Sequence, residues 1–183
     1  MQNTTSKTNK MVKIAMIAAI YATLTLVLAP VSYGVVQFRI SELLTVLPAF
    51  TTLAIPGLSL GCCLANLIGA LLGLNPTGYI DAIVGTSATL IAAILSYLLA
   101  KTNHRTLRLI LVPLPPVLVN AVIVGAELTV LFNAGEAFAA AWIANAVSVA
   151  IGQAVVCYLL GIPLMMVLSK NEFYKKLFRI SQS

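Results

Sequence analysis

The chain has 183 residues, 60% of them hydrophobic and 9% charged, with a formal net charge of +6 and a mean hydropathy of +1.01. Soluble domains carry about a quarter charged residues, so a soluble globular fold is excluded, and six apolar stretches with their turns leave no room for a separate soluble domain. The basic balance does not point to nucleic acid: the cations sit at the ends of apolar stretches, where they set orientation and meet anionic lipid.

Residues 1–10 are polar and are expected to be a flexible cytoplasmic tail. The first span is predicted over Met11–Pro30 and lacks an A-x-A cleavage pattern, so it is expected to stay uncleaved. A polar, aromatic-dotted segment, Val31–Ser41, leads to a short second span over Glu42–Ile55 with Pro48 inside it. Pro56-Gly57 predicts a tight break. The third span covers Gly57–Leu74, Asn75-Pro76-Thr77-Gly78 predicts a turn, and the fourth span covers Tyr79–Ala100. After a basic loop, Lys101–Arg108, the fifth span runs over Leu109–Phe132, with Pro113, Pro115 and Pro116 kinking it or marking where its regular part begins. The sixth runs over Phe138–Leu168, and residues 171–183 form a basic cytoplasmic tail. The expected fold is therefore an all-α integral membrane protein, a six-transmembrane-helix bundle over residues 11–170 with both termini cytoplasmic.

Charge placement supports that count. Lys7, Lys10, Lys13, Lys101, Arg105, Arg108, Lys170, Lys175, Lys176 and Arg179 all fall on one face if there are six spans, and the positive-inside rule makes that face cytoplasmic. Five or seven spans would split these clusters across the membrane. Arg39 alone lies on the other side. No internal repeat is visible, so an inverted-repeat transporter is not supported.

Gly57, Gly61, Ala65, Gly69 and Gly73 recur every four residues through span 3. Such a stripe lets another helix approach closely, and internal packing is the preferred reading. Span 1 carries two similar pairs, Ala15 with Ala19 and Ala18 with Ala22, whose functional reading is docking onto another membrane protein.

The acids are biased the opposite way from the bases. Glu42, Asp81, Glu127 and Glu136 map to the outer half, and Glu172 is cytoplasmic. Glu127 lies inside span 5, with Asn120 seven residues earlier on nearly the same face. Trp142, Asn145 and Gln153 share a broad face of span 6. Two readings stay open. In one, these groups satisfy each other, with Arg39 paired to Glu42 or Asp81 and Asn66 acting as glue between helices. In the other, they converge on an outward-facing pocket for a flat, hydrogen-bonding heterocycle, with Trp142, Tyr33 and Phe38 offering stacking area. The acid surplus favours a ligand carrying positive charge. The ion-pair and pocket readings weigh equally for Arg39, Glu42 and Asp81; the pocket is favoured for Asn120 and Glu127.

No P-loop is present. His104 sits in the basic loop, and Cys62, Cys63 and Cys157 form no C-x-x-C pair, so no metal site is expected. No serine is expected to sit in a G-x-S-x-G nucleophile elbow. No cofactor and no catalytic residue is assigned, and the chain is expected to borrow its energy from partners.

The residues Gln37-Phe38-Arg39-Ile40-Ser41-Glu42, Ile55-Pro56-Gly57 with Gly61 and Asn66, Asp81 to Gly85, and Pro113-Leu114-Pro115-Pro116 through Asn120 to Glu127 resemble the QueT family, substrate-binding (S) components of energy-coupling factor (ECF) transporters. The resemblance runs from about Lys13 to Leu168. It implies a six-helix S component in the bacterial cell membrane. The implied substrate is a precursor of the tRNA base queuosine, the aminomethyl deazaguanine base. The implied partners are a transmembrane coupling protein and two ATPase subunits, and the implied mechanism is toppling of the S component within the bilayer. On chemistry, Glu127 would take the cationic arm or the guanine-like edge, Asn120 the ring heteroatoms, and Trp142 or Phe38 the ring face. Asn145, Arg39, Glu42 and Asp81 complete the expected site. Ala15 and Ala19, or the overlapping Ala18 and Ala22, match the docking pair of S components. Three alternatives remain: an S component for another vitamin or tryptophan, a small membrane enzyme acting on lipid through Glu127, Asp81 and Arg39, and a purely structural subunit.

Overall fold

The computed structural model describes residues 2–33, 36–133, 135 and 137–170, with side chains from residue 7 onward. Among the described residues every regular element is helical. The order is α1 (Gln2–Val27), a one-turn α2 (Ala29–Ser32), a 3-10 helix (Ile40–Ala49), α3 (Ala54–Leu71), α4 (Ile80–Leu99), α5 (Arg105–Leu111), α6 (Leu114–Phe132), α7 (Phe138–Ala154), a π-helical stretch (Val155–Leu160) and α8 (Gly161–Lys170). Five helical stretches are long and apolar enough to cross a membrane: Lys7–Val27, Ala54–Leu71, Ile80–Leu99, Arg105–Phe132 and Phe138–Lys170. Exposed Leu, Ile and Val side chains stud their outer surfaces, as expected where the solvent is hydrocarbon.

Three expectations change. Helix α1 starts at Gln2, so helix already covers the described part of the expected N-terminal tail; residues 171–183, with Glu172 and three of the tail cations, lie outside the described residues, as does Glu136. The second span is a 3-10 helix of 10 residues, roughly 20 Å long at about 2.0 Å per residue, too short by itself for a hydrocarbon core of about 30 Å. Pro48 lies in it, and Ser41, Glu42, Leu44, Thr45, Val46 and Leu47 are buried, so packing holds a geometry that seldom runs beyond a few residues. Finally, Pro56-Gly57 is no break. The chain turns at Phe50–Leu53, where Phe50 and Thr51 both donate to Leu47 O and Ala54 donates to Thr51 O. Pro56 sits in the first turn of α3, where a missing N–H costs nothing.

The small-residue stripe packs α3 on α1. A Cβ on Gly57 would come within 2.9 Å of Ile17, one on Gly61 within 2.8 Å of Ala18 O and of Tyr21, and one on Gly69 within 2.9 Å of Tyr33 Oη. These contacts pair increasing numbers with increasing numbers, so α1 and α3 run in the same direction. Gly73 does not belong to the stripe: it follows the end of α3 with φ +68° and closes the helix, with Leu74 N bonded to Gly69 O at 2.8 Å.

The fifth stretch is broken where the prolines predict. Helix α5 ends before Val112, and α6 restarts at Leu114. Pro116 lacks an N–H, so Val112 O loses its helical donor; Ser96 Oγ supplies one at 2.8 Å, and Tyr158 Oη donates to Ile110 O at 3.0 Å. Val112, Val46 and Met165 form a buried cluster with Ala100, Leu109 and Leu164 against it. The Lys101–Arg108 corner and the end of α8 therefore share one end of the bundle. At the opposite end lie the turns after α2, α3 and α6.

Candidate functional site

A connected polar network runs between α1, the 3-10 helix, α3 and α4. Arg39 Nη2 pairs with Asp81 Oδ2 at 3.0 Å, both side chains 2% exposed. Asn75 Nδ2 donates to the same oxygen at 3.1 Å, and Asn66 Nδ2 donates to Asp81 O at 2.8 Å. Tyr33 Oη donates to Ala65 O at 3.1 Å and reaches Asn66 Oδ1 at 3.3 Å. Glu42 accepts from the Tyr21 hydroxyl and, at 3.5 Å, from Thr89 Oγ1. Thr25 Oγ1 and Ser41 Oγ lie 2.6 Å apart. Gly85 is needed beside Asp81, because a Cβ there would overlap the Asp81 carboxylate. Arg39, Glu42 and Asp81 are thus brought together inside the bundle, with Asp81 as the partner of Arg39, and Asn66 bridges α3 to α4.

The other polar pair behaves differently. Asn120 is 2% and Glu127 7% exposed. No side-chain nitrogen or oxygen of either residue has a hydrogen-bond partner. A buried amide or carboxylate left in that state costs about 1–3 kcal/mol, more when charged. Asn120 and Glu127 are both buried residues of α6, so their face of that helix looks into the bundle. At the end remote from Lys101–Arg108 is a cavity of about 370 Å³ lined by Tyr33, Gln37 and Pro76 on one side and by Leu128, Phe132, Asn133 and Asn145 on the other; Asn120 and Glu127 are not among its lining residues, although Leu128 follows Glu127 in α6. That size suits a small heterocycle. Burial lifts the Tyr33 hydroxyl to about 12, so it remains a donor at neutral pH.

The other expected residues divide between the cavity and other surroundings. Asn145 lines the cavity and donates to Thr129 Oγ1 and Asn133 Oδ1, both at 2.9 Å. Trp142 does not join it: its Nε1 donates to Val122 O at 3.1 Å, and its ring borders an outer apolar groove with Ala121 and Ala146. The broad face expected on span 6 is split, with Gln153 buried near Cys157. Phe38 is half-buried, its backbone N–H bonded to Val31 O at 3.1 Å. Of the two alanine pairs, Ala15 and Ala19 are exposed, whereas Ala18 and Ala22 are 2% and 8% exposed. The second pair is packed inside the bundle, where Ala18 meets Gly61, and is not on a free face.

Sequence reasoning missed Asn75, Tyr21 and Thr89. Asn75 was legible as a turn residue, and it does hold that turn, its Oδ1 accepting from Thr77 N at 3.1 Å and Thr77 Oγ1 at 2.6 Å. Its second role follows from the fold. Ser59 does stand in a Gly57-Leu58-Ser59-Leu60-Gly61 string, but that string is mid-helix in α3 and Ser59 Oγ donates to Ile55 O at 3.0 Å, so it is no nucleophile elbow. Among the described residues no cluster of His, Cys, Asp and Glu could hold a metal ion.

Comparison with known proteins now decides the family. The sequence model described as "QueT transporter" matches residues 11–170. The chain belongs to the QueT transporter family. It is 36% identical over 96 residues to a protein of Lactococcus lactis subsp. cremoris (strain MG1363) named "Queuosine precursor transporter QueT", a match covering 51% of this chain and 53% of that relative. The match thus spans about half the length of the relative. No solved structure matches. Family membership and the long apolar helices together make this chain a multi-pass membrane protein of a transporter family.

Proposed function

We propose that this chain is the substrate-capture subunit of an ECF-type importer and binds a queuosine precursor, the aminomethyl deazaguanine base, from outside the cell. The observation that carries the reading is the unpaired pair Asn120–Glu127, buried on α6, the helix that also gives Leu128 and Phe132 to the wall of the cavity remote from the basic corner. Buried polar groups are nearly always paired in a native protein. A ligand that brings donors to Glu127 and both donors and acceptors to Asn120 would complete them. A deazaguanine has such an edge, and its ammonium arm suits an interior where Asp81, Glu42 and Glu127 outnumber Arg39.

In this reading the chain crosses the bilayer six times, with both termini cytoplasmic. The parallel course of α1 and α3 supports a crossing between them. The 3-10 helix and its flanking residues, 36–53, would make it. Ten cations then face the cytosol. Coupling is assigned to partners: a transmembrane coupling protein docking on the exposed Ala15/Ala19 face, and two ATPases that drive toppling and release. The substrate base comes from the family resemblance and from the relative's name; the residue roles are assigned on chemistry.

Binding of the base to the purified chain, without ATP or partners, tests the proposal. Saturable binding with a raised melting temperature is expected. Saturable binding of another vitamin or tryptophan, with none of this base, would replace the substrate, and turnover of lipid by the isolated chain would replace the function. Ala15→Trp or Ala19→Trp should abolish transport in cells and leave binding by the free subunit near normal; loss of both would put the alanines in the packing instead.

A further inference from the structure

The last helical stretch carries a device that the assignment above does not use. The segment 36–49 lies along α7 and α8 in a fixed register. A Cβ on Gly152 would meet the backbone of Gln37, Cys157 Sγ approaches Glu42 O at 3.8 Å, and a Cβ on Gly161 would lie 3.1 Å from Val46. Gly152 and Gly161 are nine residues apart, two and a half turns at 3.6 residues per turn, so an unbroken α-helix would send them to opposite sides. Between them lies the π-helical stretch Val155–Leu160. Its wider turns advance less per residue and bring the two glycines toward one face. Such π-bulges recur at functional sites.

The contact at Gly152 is the tightest of the three and is backbone on backbone. A Cβ there would overlap the Gln37 carbonyl oxygen and lie 2.8 Å from its carbon. No flexible side chain can give way, so a Cβ at 152 forces either α7 or residues 36–39 to move. Gln37 is 5% exposed and forms part of the wall of the 370 Å³ cavity. Arg39, two residues on, is held by Asp81 at 3.0 Å, so the segment is fixed on one side by that ion pair and on the other by its fit to Gly152.

We infer that Gly152 is a positioning residue for substrate retention: it is the seat on which residues 36–39 close over the cavity. The inference rests on the reading of that cavity as the substrate site. A bound ligand beneath Gln37 leaves when this wall lifts, and lifting is easier once the seat is filled. The effect belongs in the dissociation rate, where most affinity changes of related complexes appear. A purely structural glycine would instead lower stability and leave the kinetics of the folded fraction unchanged.

The test measures dissociation of the aminomethyl deazaguanine base from the purified chain and from Gly152→Ala, with ligand-free melting curves of both. Gly152→Ala is expected to release ligand about tenfold faster at an unchanged association rate. Equal dissociation rates in the folded fractions overturn the seat and leave the capture reading intact; failure of the unaltered chain to bind the base overturns both. Should Gly152→Ala not fold, Gln37→Cys in the otherwise unaltered chain gives a second measurement. Its modification by a membrane-impermeant thiol reagent should slow about tenfold with saturating base. An unchanged rate in the presence of base contradicts closure over the ligand.

Discussion

Around Asp81 each buried polar residue has found at least one partner within the chain, while on α6 Asn120 and Glu127 have found none. Both regions bury carboxylates in the same bundle, so burial alone does not distinguish structure from function; partnering does. The Asp81 network behaves as a clasp that ties the 36–39 segment and the turn at Asn75 to α3 and α4. The α6 pair has the opposite character, a desolvation cost with no partner in the chain; in the proposed function a ligand would offset it.

That difference can be broken from either side, and the largest effect is expected at the clasp. Asp81→Ala leaves Arg39 buried without its ion-pair partner, which typically costs about 3–5 kcal/mol. Yield and melting temperature in detergent should fall together. The double change Arg39→Leu, Asp81→Leu should recover much of that stability, since an apolar replacement of a buried pair is often neutral or better. Single and double variants of equal stability would show that the pair is not the clasp.

On α6 the order reverses. Glu127→Gln replaces a buried carboxyl that has no hydrogen-bond partner in the chain, so the ligand-free melting temperature should hold or rise. Affinity for the base should drop about 10–100-fold, the range of a hydrogen bond to a charged group. A melting temperature that collapses, with normal affinity in what stays folded, would move Glu127 into the structural class. The smallest effect is expected for Asn120→Leu. Removing an unsatisfied amide should stabilise the ligand-free chain by about 1 kcal/mol, with weaker binding of the base. Destabilisation instead would mean that the amide is satisfied within the fold.

Much of the bundle was legible in the sequence because lipid leaves few options. Backbone groups in hydrocarbon must be satisfied within the helix, so the apolar runs over spans 3 and 4 became α3 and α4 within a few residues of their expected ends. The break at Pro113 was legible for an equally local reason. The 3-10 geometry of Ile40–Ala49 was not, since a short apolar run carries no signal separating it from an α-helix. Nor was the π-helical stretch Val155–Leu160, which lies between Gly152 and Gly161, the two glycines that face residues 37 and 46. At the site, Asn120 and Glu127 stood out because polar groups in an apolar run are costly. The pairing of Arg39 with Asp81 rather than Glu42 depended on which helices meet. Trp142 was misplaced because a shared helical face names a direction, not what lies in that direction.

The most direct test follows one titration in two chains: the unaltered protein and Glu127→Gln, each purified, each melted with and without the aminomethyl deazaguanine base. The account predicts equal or higher ligand-free melting temperature in the variant, a ligand-induced rise in the unaltered chain, and little or no rise in Glu127→Gln at the same base concentration. An equal rise in both chains would contradict it.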